Sequence, residues 1–116
     1  MDVNEENGIP FDYDLTYYLA GPMSGYPEYN YPAFAEACII LRAHTIMVAS
    51  PHEIDYKEYD GYRGDQPYET YLTGGLELLK NKTQGIVLLP GWPQSTGARA
   101  ELAMAFEMDM PVYFYQ

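Results

Sequence analysis

Glu101 is the residue most in need of an explanation. It sits in the stretch "GWPQSTGARAELAMAFEMDMPVYFY", on the apolar side of a short helix rich in Ala and Met. Ala98, Ala105 and Met108 share its face at i−3, i+4 and i+7. A carboxylate in such surroundings is costly unless it is paired or has work to do. Its neighbours are small or soft, which leaves it room to reach toward the edge of a sheet. The bland alternative is a glutamate that snorkels to water or pairs with Arg99 or Lys57.

Other residues with useful chemistry collect in three short loops, "GPMSG" (21–25), "SPHEID" (50–55) and "GWPQSTG" (91–97). In the first, Gly21 and Gly25 allow a tight turn and a close approach of backbone to a ligand, and Ser24 adds a hydroxyl. In the second, His52 and Glu53 are titratable, and His52 reads equally as a site residue or as a surface loop residue. In the third, Ser95 or Thr96 is placed to cap the following helix. Gly97 and Ala98 offer amides at that helix N-terminus, a ready anion site, and Ser95 donates to a phosphate without repelling it. Each glycine taken singly is turn chemistry. Together at one sheet edge they favour a small-molecule site.

The elements that must position these loops follow from hydrophobic pattern. Apolar runs at 15–20, 45–50, 85–90 and 111–115 read as strands, the run at 85–90 continuous enough to be buried on both faces. Asn30 and Pro32 open one helix, and Phe34, Ala37, Cys38 and Leu41 recur along it at helical spacing. Asp65-Gln66-Pro67 opens a second, running to about Asn81, and the third spans Ala98 to about Met108. Strands alternating with helices predict an α/β class, a flavodoxin-like or Rossmann-like open parallel sheet of four or five strands with helices on both faces. An α+β arrangement is the competitor. Residues 1–14, polar and punctuated by Gly and Pro, read as a loose arm, and 15–116 as a single domain. In an open parallel sheet ligands bind beyond the carboxyl ends of the strands, so the three loops are expected to gather there.

Composition sets the outer bounds. The 116 residues suffice for one domain, and 47% hydrophobic residues suffice for a core. A net charge of −11 argues against a nucleic-acid polymer as partner, since neutralising phosphates needs a basic face. It leaves open a small phosphorylated ligand held by a local nest of amides. Thirteen tyrosines suit a partly wet ligand cleft or a subunit contact. Cys38 is single, so no internal disulfide forms, and no Cys/His cluster suggests a metal. The acidic start lacks the basic region of a signal peptide and nothing reads as a membrane span. A cytoplasmic protein is the default, in a host's cytoplasm if the source is viral.

The pairing of "YYLAGPMSG" with "GIVLLPGWPQSTGARAELAMAFEMDMPVYFY" resembles the nucleoside 2-deoxyribosyltransferase superfamily, from about Leu15 to Tyr115. The resemblance is closest to small members, many encoded by bacteriophages, and to the branch that hydrolyses 2′-deoxynucleoside 5′-monophosphates. It implies a catalytic Glu at Glu101, oriented by a Tyr at Tyr18. It implies a phosphate held by the first loop at Gly21, Ser24 and Gly25, and a Ser at Ser95 where transferases acting on free nucleosides carry Asp. It points to His52 and Glu53 near the base. It implies cleavage of an N-glycosidic bond by hydrolysis or transfer, no cofactor, and a homodimer or larger homo-oligomer. The alternative is a protein that binds or sequesters a nucleotide without cleaving it, or a structural domain with a relic cleft.

One departure stands out. Such relatives usually carry an Asp on the second helix, and this chain has Gly75 at that register. Tyr68, Tyr71, Leu72, Gly75 and Leu79 share the inward face, while Glu77 lies about 200° round the helix and faces solvent. Either the helix breaks at Gly74-Gly75 or the cleft is enlarged there. The proton for the leaving base would then come from His52, Glu53, Asp55, the terminal carboxylate of Gln116 or a neighbouring subunit.

Overall fold

The computed structural model describes residues 3–5, 11–53 and 68–115. Five strands form one sheet: β1 (Val3–Glu5), β2 (Thr16–Ala20), β3 (Met47–Ala49), β4 (Gly85–Leu88) and β5 (Val112–Tyr115). Their order across the sheet is β1-β5-β4-β2-β3. β2, β3, β4 and β5 are mutually parallel, and β1 adds antiparallel to the outer edge of β5. This is the expected α/β, Rossmann-like fold, with a flavodoxin-like order of the parallel strands. The segment read as a loose arm contributes two features of its own: β1 pairs with β5, and Phe11 stacks on Tyr113 with ring centroids 4.1 Å apart.

Three helices connect the parallel strands: α1 (Tyr31–Ala43), α2 (Tyr68–Lys82) and α3 (Thr96–Glu107). Strand side chains alternate between faces, so each face meets a different helix set. Tyr17, Leu19, Val48 and Val87 pack with Phe34, Ala37, Cys38 and Leu41 of α1. Tyr18, Ala20, Ile86 and Leu88 pack on the other face with Leu79 of α2 and with Leu102 and Ala105 of α3. The β4 residues are all buried, as a strand covered on both faces requires. Burial lifts the Cys38 thiol above its ordinary range.

The helix ends are built by local rules. Asn30 stands at the start of α1 in a left-handed conformation, and its side chain donates to the Pro22 carbonyl rather than capping the helix. α1 and α3 both end in Schellman motifs. Ile46 N–H donates to Leu41 and Met110 N–H to Ala105, with Thr45 and Asp109 taking the positive-φ position. Among the described residues no helix is long and apolar enough to cross a membrane.

β2 has β3 on one side and β4 on the other, so the chain reverses its direction of travel across the sheet between them. At such a switch point the loops beyond the strand ends separate and leave a crevice. That crevice is formed by the loops after β2 and β4.

Candidate functional site

A cavity of about 390 Å³ opens at the switch point, a size in the range of small-molecule sites. Its floor is Tyr18, from the middle of β2, and Glu101, one turn into α3. Tyr18 is fully buried and Glu101 only 8% exposed. The Tyr18 hydroxyl donates a buried hydrogen bond to Glu101 Oε2. The puzzle of Glu101 therefore resolves as a carboxylate kept inside, with its cost offset by a buried donor. Arg99 is exposed and carries no part of that pairing, and Lys57 lies outside the described residues. Ala98 and Ala105 are buried beside Glu101, whereas Met108 is exposed because α3 ends before it.

Gly75 completes the floor from α2. The helix runs unbroken through Gly74-Gly75, and the space beside Gly75 is already filled. A Cβ there would lie 2.7 Å from Glu101 Oε2 and 2.7 Å from Tyr18 Oη. The glycine thus lets the helix backbone close on the Tyr18–Glu101 pair, so neither a helix break nor an enlarged cleft occurs at this position. Gly74, one residue earlier, faces open space. Leu79 is buried and Glu77 exposed, as helical phase requires.

Part of the cavity lining is polar. Ser95 caps α3, its Oγ accepting from the Ala98 amide at 3.1 Å. That amide is thereby committed to the cap. The Thr96 and Gly97 amides sit in the first helical turn, where no intrahelical acceptor exists, and Thr96, Gly97 and Ser24 all line the cavity. Ser95 keeps a hydroxyl hydrogen to donate, and the helix dipole adds to the preference for an anion. Gly21 also lines the cavity, though its lack of a side chain serves packing: a Cβ would come 2.8 Å from Leu89 Cβ. Gly25 has a φ of +84° and turns the loop without reaching the cavity wall.

The rest of the lining is largely apolar, with Pro22, Met23, Tyr26, Pro51 and Leu72. Tyr26 is 41% exposed and reaches over Gly91, whose φ of +90° and missing side chain leave room for the Tyr26 hydroxyl. These residues, with Gln94 and Thr96, went unnoticed as wall residues in the sequence. Leu72 had a signal, since it shares the inward phase with Gly75. Tyr26 had none, because the space it uses is made by a glycine 65 positions later.

The structure does not bring His52 to the cavity. Its ring is buried between Tyr31 and Phe34, and its Nδ1 hydrogen-bonds Ser50 Oγ at 2.5 Å. Burial holds the imidazole below its ordinary range, despite the opposing pull of Glu53. Glu53 is engaged by Arg42 through both carboxylate oxygens, at 2.8 and 3.0 Å, and that guanidinium holds its carboxyl below the usual range. Arg42 also donates to the Val48 carbonyl, so the pair ties α1 to the end of β3. Asp55, the start of α2 at Asp65-Gln66-Pro67, and Gln116 lie outside the described residues. Among the described residues no group of three His, Cys, Asp or Glu side chains is arranged to hold a metal.

Residues 15–114 match the family described as a domain of unknown function (DUF4406). No curated protein matches the chain.

Proposed function

The chain belongs to the DUF4406 family, whose description assigns no activity, and from the site together with the resemblance of its motifs to the nucleoside 2-deoxyribosyltransferases we propose that it cleaves the N-glycosidic bond of a 2′-deoxynucleoside 5′-monophosphate or a related nucleotide. The observation that carries this reading is the buried Tyr18–Glu101 pair in a cavity lined by the start of α3 and by apolar side chains. The resemblance to the nucleoside 2-deoxyribosyltransferases supports it from the sequence side.

In this mechanism the 5′-phosphate is held by Ser24, Ser95 and the amides of Thr96 and Gly97. The base lies against Met23, Tyr26, Pro51 and Leu72. The sugar is then suspended over Glu101, which attacks C1′ as the C1′–N bond opens through an oxocarbenium-like transition state. Tyr18 fixes the carboxylate rotamer and leaves it little freedom to lose on reaching the transition state. The glycosyl ester is resolved by water, giving hydrolysis, or by a second base, giving transfer.

The test is incubation of the full chain with each 2′-deoxynucleoside 5′-monophosphate, with free base followed by chromatography. Wild type releases base and Glu101→Gln slows release by at least about 10³-fold. Tight binding without release, equal in both proteins, overturns the catalytic reading in favour of a sequestering one.

A further inference from the structure

Pro22, Met23, Ser24 and Tyr26, all lining the cavity, come from the loop after β2. That loop ends in an unusual run. Glu28, Tyr29 and Asn30 stand consecutively in the left-handed region, with φ of 53°, 53° and 63°. Glycine takes this conformation without steric cost, and Asn takes it more readily than other side chains do. For Glu and Tyr it is unfavourable, because Cβ crowds the following carbonyl oxygen. Such a run persists only where the contacts around it impose it.

The contacts here close the loop on itself. The Tyr26 amide donates to the Met23 carbonyl at 3.2 Å, and the Tyr29 amide to the Tyr26 carbonyl at 3.0 Å. The widest closure is made by a side chain. Asn30 Nδ2 donates to the Pro22 carbonyl at 2.9 Å and joins the end of the loop to its start. Pro22 is itself buried, so the clasp has a fixed anchor. The loop also rests on the segment leading into α3: a Cβ built on Gly91 would lie 2.6 Å from Tyr26 Oη and 3.1 Å from Pro22 Cγ. Tyr18 and Glu101, by contrast, stand on β2 and α3 and meet each other directly. The loop therefore reaches a ligand without carrying the reacting pair.

We propose that Asn30 is a positioning residue for ligand binding: its amide clasps the left-handed turn at 28–30 to Pro22 and so holds Met23, Ser24 and Tyr26 in the cavity wall. This rests on the reading of the cavity as a nucleotide site, and it assigns Asn30 to affinity rather than to bond cleavage. Without the clasp the strained turn relaxes in a fraction of the molecules, and apparent affinity falls in proportion to the fraction still formed. Molecules that do bind keep the Tyr18–Glu101 pair and react at an unchanged rate. A capping role, the usual one for Asn at a helix start, would instead weaken α1 without singling out the ligand. The side chain makes no such capping bond.

The experiment uses the full chain with Asn30→Gly and Asn30→Ser. Glycine accepts the left-handed backbone but has no donor. Serine caps helices well, yet its hydroxyl ends one bond short of the Pro22 carbonyl. Binding of 2′-deoxyadenosine, 2′-deoxyguanosine, 2′-deoxycytidine and thymidine 5′-monophosphates is measured by calorimetry, base release by steady-state kinetics, and amide exchange on peptides covering 22–30 and 31–43. Both variants are expected to raise Kd and KM about three- to tenfold, the worth of one neutral hydrogen bond, with kcat within about twofold of wild type. Exchange should quicken in 22–30 and not in 31–43. Should the nucleotides bind without being cleaved, Kd and exchange decide the matter and only the cleavage reading is lost. Wild-type affinity in both variants overturns the inference and leaves the nucleotide site standing. A fall in kcat as large as the rise in KM overturns it by placing Asn30 in the chemistry, and faster exchange in 31–43 overturns it by making Asn30 a cap. If none of the nucleotides binds wild type, the nucleotide reading itself falls, and the inference with it.

Discussion

At the scale of single residues, Tyr18 separates positioning from binding. Its hydroxyl meets Glu101 and it comes from the interior of a strand, so removing the oxygen leaves the packing in place. Tyr18→Phe is expected to lower kcat by about 10- to 100-fold, the worth of one hydrogen bond to a charged group, with little change in KM; steady-state kinetics on the best substrate check this. His52 is expected to govern stability rather than turnover. Burial holds its pKa below the ordinary 6.5, so as pH falls through 6.5 the unfolded chain takes up a proton that the folded chain refuses. Stability is then lost toward lower pH and is fully present above 6.5. Melting temperatures measured from pH 7.5 to 5 should fall for wild type, and fall less for His52→Gln, whose amide keeps a partner for Ser50. Glu53 acts lower down: Arg42 depresses its pKa from 4.5, so its contribution is present above that value and fades as pH drops below it. The two carboxyls thus divide by environment, and sequence alone could not divide them. Glu101 was legible because a charge on an apolar helix face demands an explanation. The Arg42 partner of Glu53 was not, since it comes from α1, 11 residues away across a turn.

At the scale of elements, α2 offers an internally controlled experiment. Gly74 and Gly75 are adjacent, yet a Cβ added to the first would meet open space and one added to the second would lie 2.7 Å from both Glu101 Oε2 and Tyr18 Oη. Gly74→Ala should stabilise the protein by about 1 kcal/mol through helix propensity alone and leave activity unchanged. Gly75→Ala gains the same propensity but must displace the carboxylate, the phenol or the helix. A loss of about 10²-fold in kcat is expected, the usual cost of a misplacement of about 1 Å at a reacting group. Chemical denaturation and kinetics on the two variants check both arms. Strands and helices themselves were legible, because continuous apolar runs and helical recurrence have no other economical reading. Their ends were less so. The two Schellman motifs use Thr45 and Asp109 where glycine is the usual signal, so nothing in the sequence announces them. The contact at Gly75 was also hidden: helical phase showed that it points inward, but only the relative placement of β2, α2 and α3 shows what it meets.

At the scale of the whole molecule, topology makes the site and charge governs access to it. The crevice exists because β2 lies between β3 and β4. The loop pattern implied that the glycine turn after β2 and the α3 start would share an edge, and they do. It could not show that the loop after β3 splits, with Pro51 on the cavity and His52 turned back toward α1. A chain of net charge −11 repels an anionic nucleotide before the local amides can attract it. Raising ionic strength from about 10 mM to 0.3 M shortens the Debye length from roughly 30 Å to under 10 Å. kcat/KM for a nucleoside monophosphate is expected to rise about two- to tenfold over that range, the reverse of the usual steering effect, while the matching nucleoside without phosphate stays flat. Cys38 has a further use at this scale. It is the chain's single thiol, sealed between α1 and the sheet and raised in pKa by that burial. A disulfide reagent added to native protein can react with it only when the helix lifts away, so the colour released over time counts openings of the fold. The protein thus carries an intrinsic clock for its own breathing, against which every variant above can be read in plain buffer without denaturant.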